Sequence, residues 1–465
     1  MKLSSSAAII MASSFILSGC KQPDISTLSS AATNIFSKVS AEVTGAKDVD
    51  KITSLKIGDI VEKSPAKVKM KGDIKEIVRS AVVSDPLVMS ARANYKARSA
   101  SVNISKSLKD FQFSGTIYGG IEDVTDETAG IAAVLNANKM IYDGGKLDNR
   151  ISADEYYAVA ALGEYELVLD ESAVVALRAW VELHRYYTLN ELISSRLGVL
   201  GPMISQLEQV AEAGLGDAAM VSAAQRTVSM IQVTQTDVEQ RLAQAEVGFL
   251  NVFGNLPAST QFDETLLSSA VPVNISRDLI VESPALRVQY AKYQAALAGL
   301  RSVKANDSIN LGFQSKIQRP FGESEYDSDE SLGLVLTKTL YNGGKLGSEI
   351  ELAEAEVNAQ LELFKSNFRV GERTLKTAQE TISAMDKAIV LAGSNATNIR
   401  DEITYLRRQL IIGQSTLDSV LSAEARLYDA EAKEIDFIAE RHLAELTILA
   451  VTGLLSNFLN IDKNL

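Results

Sequence analysis

The sequence predicts a mainly α protein with strand hairpins suited to a β-barrel, written twice along one chain. Three observations carry this reading. No proline lies between Pro86 and Pro202 or after Pro320, and such runs suit long helices, because an interior proline costs about 3 kcal/mol. Short segments in both halves switch to an alternation of apolar and polar residues with period two. Finally, LNANKMIYDGGKL at 135–147 lies against LVLTKTLYNGGKL at 334–346, with seven of thirteen positions identical at an offset of 199. The same offset pairs Gly214 with Gly413, Ala224 with Ala423 and Gly254 with Gly453, while Pro86 and Tyr95 pair with Pro284 and Tyr293 at 198. Internal duplication explains several landmarks holding one register.

Each copy reads as helix, strand, strand, long helix, returning helix. Asp85-Pro86 and Ser283-Pro284 are N-cap and N1 signals, and the helices they start are expected to reach about Lys106 and Lys304. Phe111, Phe113, Gly115 and Ile117 then alternate with Gln112, Ser114, Thr116 and Tyr118. In the second copy Ile309, Leu311, Phe313 and Ile317 alternate with Asn310, Gly312, Gln314 and Lys316, with one break at Ser315. Acidic loops follow at 122–128 and 322–330, and return strands are expected from about Ile131 to Tyr142 and Ser331 to Tyr341. Strands of about ten residues match a tilted crossing of a bilayer, with one apolar face.

Gly144-Gly145 and Gly343-Gly344 break the strands. Helices of about 68 residues, on the order of 100 Å, should run from Gly144 to Ala211 and from Gly343 to Leu410, with a kink at Gly201-Pro202. Such helices survive by packing on neighbours. Turns at Gly214-Leu-Gly216 and Gly413-Gln414 reverse the chain. Asp217 and Thr416 suit N-caps, and the returning helices should end near Gly254 and Gly453. The expected organisation is a signal peptide at 1–19, an N-terminal extension or equatorial segment at 20–72 and repeat 1 at 73–256. A connector follows at 257–282, then repeat 2 at 283–457 and a tail at 458–465.

The formal net charge of −13 and a pI near 4.9 exclude a nucleic-acid binder, which needs a basic face. Hydrophobic residues make up 46%, enough for a sizeable core. The only cysteine is Cys20, so no intrachain disulfide and no thiolate metal cage can form. His184 and His442, the only histidines, read as packed or surface residues, and Gly-Gly-Lys is not followed by the serine or threonine of a P-loop. No acid–base pair, cofactor or metal set is singled out, and the chain is read as not an enzyme.

Met1-Lys2 and the apolar run Ala7–Leu17 form a signal-peptide pattern too short to span a membrane. Its end, Leu17-Ser18-Gly19-Cys20, resembles the lipobox of bacterial lipoproteins. That resemblance implies cleavage before Cys20 and acylation there, including palmitate-type chains; several chains anchor where one is marginal. Lys21, rather than aspartate, leans towards the outer membrane. No later segment reaches 18 uninterrupted apolar residues, so any crossing of a membrane must use strands.

The duplicated order resembles the TolC family of outer-membrane channel proteins, over about Asp73 to Asn457. Tyr142-Asp-Gly144-Gly145-Lys146 and Tyr341-Asn-Gly343-Gly344-Lys345 are similar to the family's strand–helix junction. Gly413-x-Ser-Thr416-Leu-x-x-Val420 is similar to its tip motif. The resemblance implies a homotrimer with a 12-stranded transmembrane barrel, four strands per chain, and a tunnel of long antiparallel helices projecting into the periplasm of a Gram-negative bacterium. It implies a passive exit duct for drug efflux or type I protein secretion, with a periplasmic adaptor (membrane fusion) protein docking at Gly214, Gly413 and Thr416. An inner-membrane transporter would supply the energy. The positions matching the family's periplasmic constriction are Ser419, Ser422 and Met220. Asp418 is one residue earlier, about 100° around the helix; it joins the constriction if the tip is rotated, or else reads as N3 of a capping box with Ser415 or Thr416. The alternative function is a non-conducting coiled-coil lipoprotein tethered to the outer membrane. A tether needs no membrane-length hairpins; a conduit needs two.

Overall fold

Asp85 and Ser283 begin the two copies as the sequence leads one to expect. The computed structural model describes residues 68–461, apart from 71, 121–129, 213–217, 264, 323, 325 and 413. The readings at residues 1–20, the first acidic loop and the glycines Gly214 and Gly413 therefore lie outside the described residues. A short helix, α1 (Ile74–Ser84), comes before the elements that the two repeats share. The first repeat runs α2 (Pro86–Ser107), β1 (Gln112–Gly120), β2 (Gly130–Tyr142), α3 (Lys146–Glu212) and α4 (Ala218–Phe253). Two four-residue helices, α5 (Thr265–Ser268) and α6 (Asp278–Val281), lie in the connector. The second repeat runs α7 (Pro284–Lys304), a 3₁₀ turn (Ala305–Asp307), β3 (Asn310–Phe321), β4 (Asp329–Thr337), α8 (Lys345–Ile411) and α9 (Leu417–Thr452). A last turn, α10 (Leu455–Phe458), follows.

Asp85 accepts a hydrogen bond from the Leu87 amide at 2.8 Å, and Ser283 from the Leu286 amide at 3.4 Å. Each accepts from one of the amides that a helix start leaves unpaired. Both long helices have 67 residues and both returning helices 36. The long helices start at Lys146 and Lys345, two residues later than expected from Gly144 and Gly343, because both glycine pairs adopt positive φ. They make the turn itself. Pro202 lies inside α3, which continues ten residues past it to Glu212.

Packing centres on α3, which touches α1, α2, α4, α7 and α9; α8 lies against α9 and α7. The largest core gathers Ile77, Val78 and Val82 of α1, Leu169, Leu177 and Trp180 of α3, Phe249 and Phe253 of α4, and Leu446 and Leu449 of α9. Trp180 meets Phe249 and Phe253 edge-on at 5.2 and 5.8 Å, and those two rings stack at 4.3 Å. Full burial of side chains this size contributes about 1.5–3 kcal/mol each. Such burial, more than intrinsic propensity, holds helices of this length. The i, i+4 step from Ile77 to Ala81 and from Val78 to Val82 aims one face of α1 into this core.

The strands form one antiparallel sheet in the order β1-β2-β3-β4. The hairpins are local, but the central β2–β3 ladder joins the two repeats, with Leu135 opposite Ile317. The fourth strand corrects the sequence reading: it spans Asp329–Thr337, not Ser331–Tyr341. Its last pair is Thr337 with Asn310, where β3 begins after the 3₁₀ turn, so no residue of β3 is left for 338–341 to pair with.

Candidate functional site

The cross-strand register sorts the sheet into two faces, because residues directly opposite share a face. One carries Phe113 and Ile117 of β1, Ile131 and Leu135 of β2, Phe313, Ile317 and Phe321 of β3, and Leu332, Leu334 and Leu336 of β4. Phe113, Ile117, Ile131, Leu135, Phe321 and the three leucines are all exposed. The other carries Gln112, Ser114 and Thr116, Asn136 and Asn138, Gln314, Lys316 and Gln318, and Asp329 and Ser331. Ala132 and Val134 are buried on this second face. Phe111 and Ile309 were expected in the strands but sit one residue before them. The Phe111 ring still joins the apolar face, stacking on Phe113 at 6.0 Å and meeting Phe313 edge-on at 5.7 Å. Charges bracket that face: Lys139 lies 4.9 Å over the Phe111 ring at one end, and Arg319 pairs with Glu330 at the other.

The junctions lie beneath the sheet. Tyr142 ends β2, and Tyr341 follows β4; both side chains are exposed. In the first copy Asp143 accepts from the amides of Gly145 at 3.0 Å and Leu147 at 2.7 Å, capping α3. A Cβ at Gly144 would collide with the Ser308 side chain beside β3, whereas Gly343 faces open space. The first junction is also gripped by α7: Ser302 donates to the Lys146 carbonyl at 2.9 Å, and Arg301 donates to Asn149 at 3.1 Å.

At the far end of the bundle, Thr416 is the N-cap of α9 and accepts from the Ser419 amide at 3.3 Å. Ser419 is therefore N3 and Asp418 is N2, which corrects the assignment of Asp418 to N3. Its charge still lies in the first turn, where the helix dipole favours an anion. Ser422 is exposed and Ser419 half-buried, and Met220 is the third residue of α4.

Between tip and core lies an ionic cluster that the sequence reading missed. Arg196 of α3 bonds Glu424 at 3.3 Å and Glu431 at 2.5 Å on α9. From α8, Arg407 reaches Glu424 and Arg400 reaches Glu431, both at 2.7 Å. Glu424 is only 3% exposed, so its charge depends on these partners. The legible signal was a seven-residue step on both helices, Arg400 to Arg407 and Glu424 to Glu431, which puts like residues on one face. Nearby Tyr428 is pushed up to about 12 by burial and by Asp429, Asp436 and Asp237. His184 is half-buried on α3. His442 is buried, its Nδ1 3.0 Å from Glu445 and its ring edge-on to Phe262. Both pack within the helical body. Among the described residues no cluster of three or more His, Cys, Asp or Glu could hold a metal ion.

Residues 275–454, from just before α6 to the end of α9, match the outer membrane efflux protein family. The second repeat is thus similar to the domain that defines this family. That family comprises passive conduits rather than enzymes. No curated protein matches the chain by sequence. Solved structures match its fold with TM-scores near 0.7. The channel-forming protein CusC covers 83% of this chain and 96% of its own at 14% identity, with a TM-score of 0.73. The outer membrane protein VceC of Vibrio cholerae covers 82% and 96% at 15% identity, with a TM-score of 0.70. The CmeC outer membrane channel of Campylobacter jejuni covers 83% and 88% at 12% identity, with a TM-score of 0.70. The two repeats, with their matching order of elements, thus share the fold of these channel structures.

Proposed function

We propose that this protein is the outer-membrane exit duct of a tripartite export system, working as a homotrimer. The observation that carries the reading is a four-stranded sheet with one apolar and one polar face, both edges free among the described residues, set at one end of helices about 100 Å long. An open sheet edge in lipid leaves backbone groups unpaired. Four strands cannot close, and eight leave an interior filled by side chains. Twelve, from three copies, leave a pore with the polar face inward. A non-conducting tether has no use for these two hairpins.

The helices then enclose a tunnel across the periplasm, with Gly214, Gly413 and Thr416 at a tip that meets an adaptor bound to an inner-membrane transporter. Cargo, whether small molecule or secreted protein, only passes through, so the energy comes from that transporter. Acyl chains on Cys20 add a second anchor in the outer membrane. The tip constriction is lined by Ser419, Ser422 and Met220. The test is single-channel recording of the purified protein in a planar bilayer. Discrete, long-lived conductance steps support the duct; intact oligomers that insert without conducting overturn it in favour of the tether.

A further inference from the structure

The apolar face of the sheet is charged differently at its two ends. At the end far from the helices Arg319, opposite Ala133, pairs with Glu330, so the two charges cancel. At the end next to the helices stand Lys139, opposite Phe313, and Lys338, which follows Leu334 and Leu336 in the same alternation. Among the described residues neither ammonium has a carboxylate partner. Lys106, Lys109 and Lys304, near the same end but off the sheet, are each ion-paired.

The two lysines are equivalent in the duplication, at an offset of 199, and each lies three residues before a tyrosine, Tyr142 or Tyr341. In the first copy the bulge between Met140 and Tyr142 sets Tyr142 opposite Leu311, two residues from Phe313 along β3. The bulge thus makes Lys139 and Tyr142 successive residues of one face, which an unbroken strand would not do. Both phenols are exposed, and neither makes a hydrogen bond among the described residues. Two simpler explanations each account for one lysine. The Phe111 ring lies 4.9 Å from the Lys139 ammonium, but no described ring lies under Lys338. A lysine guards a sheet edge on the outer strand β4, but Lys139 belongs to the central strand β2. A ligand common to both positions accounts for both.

Resting on the barrel reading, we propose that each Lys-x-x-Tyr pair binds the headgroup phosphate of an anionic glycerophospholipid in the leaflet nearer the helices. A charge on the lipid face is tolerated only towards the border of the hydrocarbon. There a lysine stem covers apolar surface while its ammonium reaches the headgroups. The ammonium donates charge-assisted hydrogen bonds to the phosphate, and the tyrosine hydroxyl donates to a phosphate or ester oxygen beside it. The ion pair at the other end of the face offers no net charge to a phosphate.

The test is native mass spectrometry of the full-length protein released from lipid discs of equal phosphatidylglycerol and phosphatidylethanolamine with the same acyl chains. Phosphatidylglycerol should be enriched among the retained lipids. Lys139→Gln with Lys338→Gln should lower that enrichment about fivefold, the weight of one ammonium per headgroup. Lys139→Arg with Lys338→Arg should keep it, and so should Lys376→Gln on an exposed face of α8. Should the glutamine variant fail to assemble, the unmodified protein is read at rising salt, which should erase the enrichment. Enrichment that is absent, or that survives both the glutamines and the salt, overturns the site. Stronger retention of lipopolysaccharide than of phosphatidylglycerol from a mixed disc overturns the assignment to a glycerophospholipid. A protein that does not enter the discs overturns the barrel reading itself, whereas an inserted oligomer without the enrichment overturns the lipid site alone.

Discussion

Gly144 and Gly343 occupy equivalent places in the repeat with φ of 66° and 68°, yet their surroundings differ. Any side chain at either position pays for left-handed backbone, about 1–2 kcal/mol. At Gly144 it must also displace Ser308. Gly144→Ala should therefore lower the melting temperature clearly more than Gly343→Ala, measured by circular dichroism in detergent; equal shifts would contradict the close approach. Tyr428 offers a pH test. Its phenol is held at about 12, above the ordinary value of 10.0, chiefly by burial. The folded state thus keeps the proton more tightly than the unfolded chain. Its stabilising contribution is complete below pH 10 and is lost as pH rises from about 10 to 12. Tyr428→Phe should flatten the alkaline fall in stability and leave neutral pH nearly unchanged in slope. Both residues were legible only in part. The glycine pair shows in the sequence, but Ser308 lies 164 residues from Gly144, and no local pattern brings it there.

At the scale of elements, the sheet and the ionic cluster make separate demands. Phe113 and its successor Ser114 are neighbours in sequence on opposite faces of β1. Phe113→Lys should cost about 2–4 kcal/mol if its face meets lipid at the barrel midplane, while Ser114→Lys on the polar face should be tolerated. The yield of heat-resistant oligomers from outer membranes reads the difference, and equal tolerance would contradict the lipid-facing assignment. In the cluster, Arg196→Met removes one cation from Glu424 and Glu431 at once. Glu424 keeps Arg407 and Glu431 keeps Arg400, so the cost should fall below the about 3–5 kcal/mol of leaving a buried charge unpaired, and thermal unfolding of the helical signal should show it. Helix ends were readable because caps, prolines and glycines act locally: Asp85, Ser283 and Thr416 all cap as their sequence context suggests. The end of β4 was not, because an edge strand stops where its neighbour does. Asp418 was misplaced by one position because Ser415 and Thr416 compete for the cap, and only the backbone decides between them.

For the whole molecule, the proposed trimer would repeat every lumen-facing group threefold, so the chemistry of the proposed constriction would follow from few residues. With Ser419, Ser422 and Met220 there, and Asp418 at N2 of α9, the ring should be neutral. Trivalent cations added from the periplasmic side should block only weakly, and Asp418→Ala should leave that block unchanged; tight block abolished by the substitution would place Asp418 on the axis. The architecture was legible because duplication preserves spacing. The offset of 199 read from the sequence relates both ends of α3 to those of α8 and both ends of α4 to those of α9. What spacing could not supply was pairing across the repeats, such as Arg196 with Glu431. The sheet shows this most plainly and carries a consequence in time. β1 and β2 close a local hairpin, but β2 must wait for β3, with Ile317 lying 182 positions after Leu135. At equilibrium the wait is cheap, since each doubling of a loop adds only about 0.6 kcal/mol. Kinetically it is decisive, because distant strand pairing is slow. A chain emerging from synthesis or secretion cannot build the sheet until its second half has arrived. The first hairpin spends that interval with an unclaimed edge, the kind of exposed strand that invites wrong pairing.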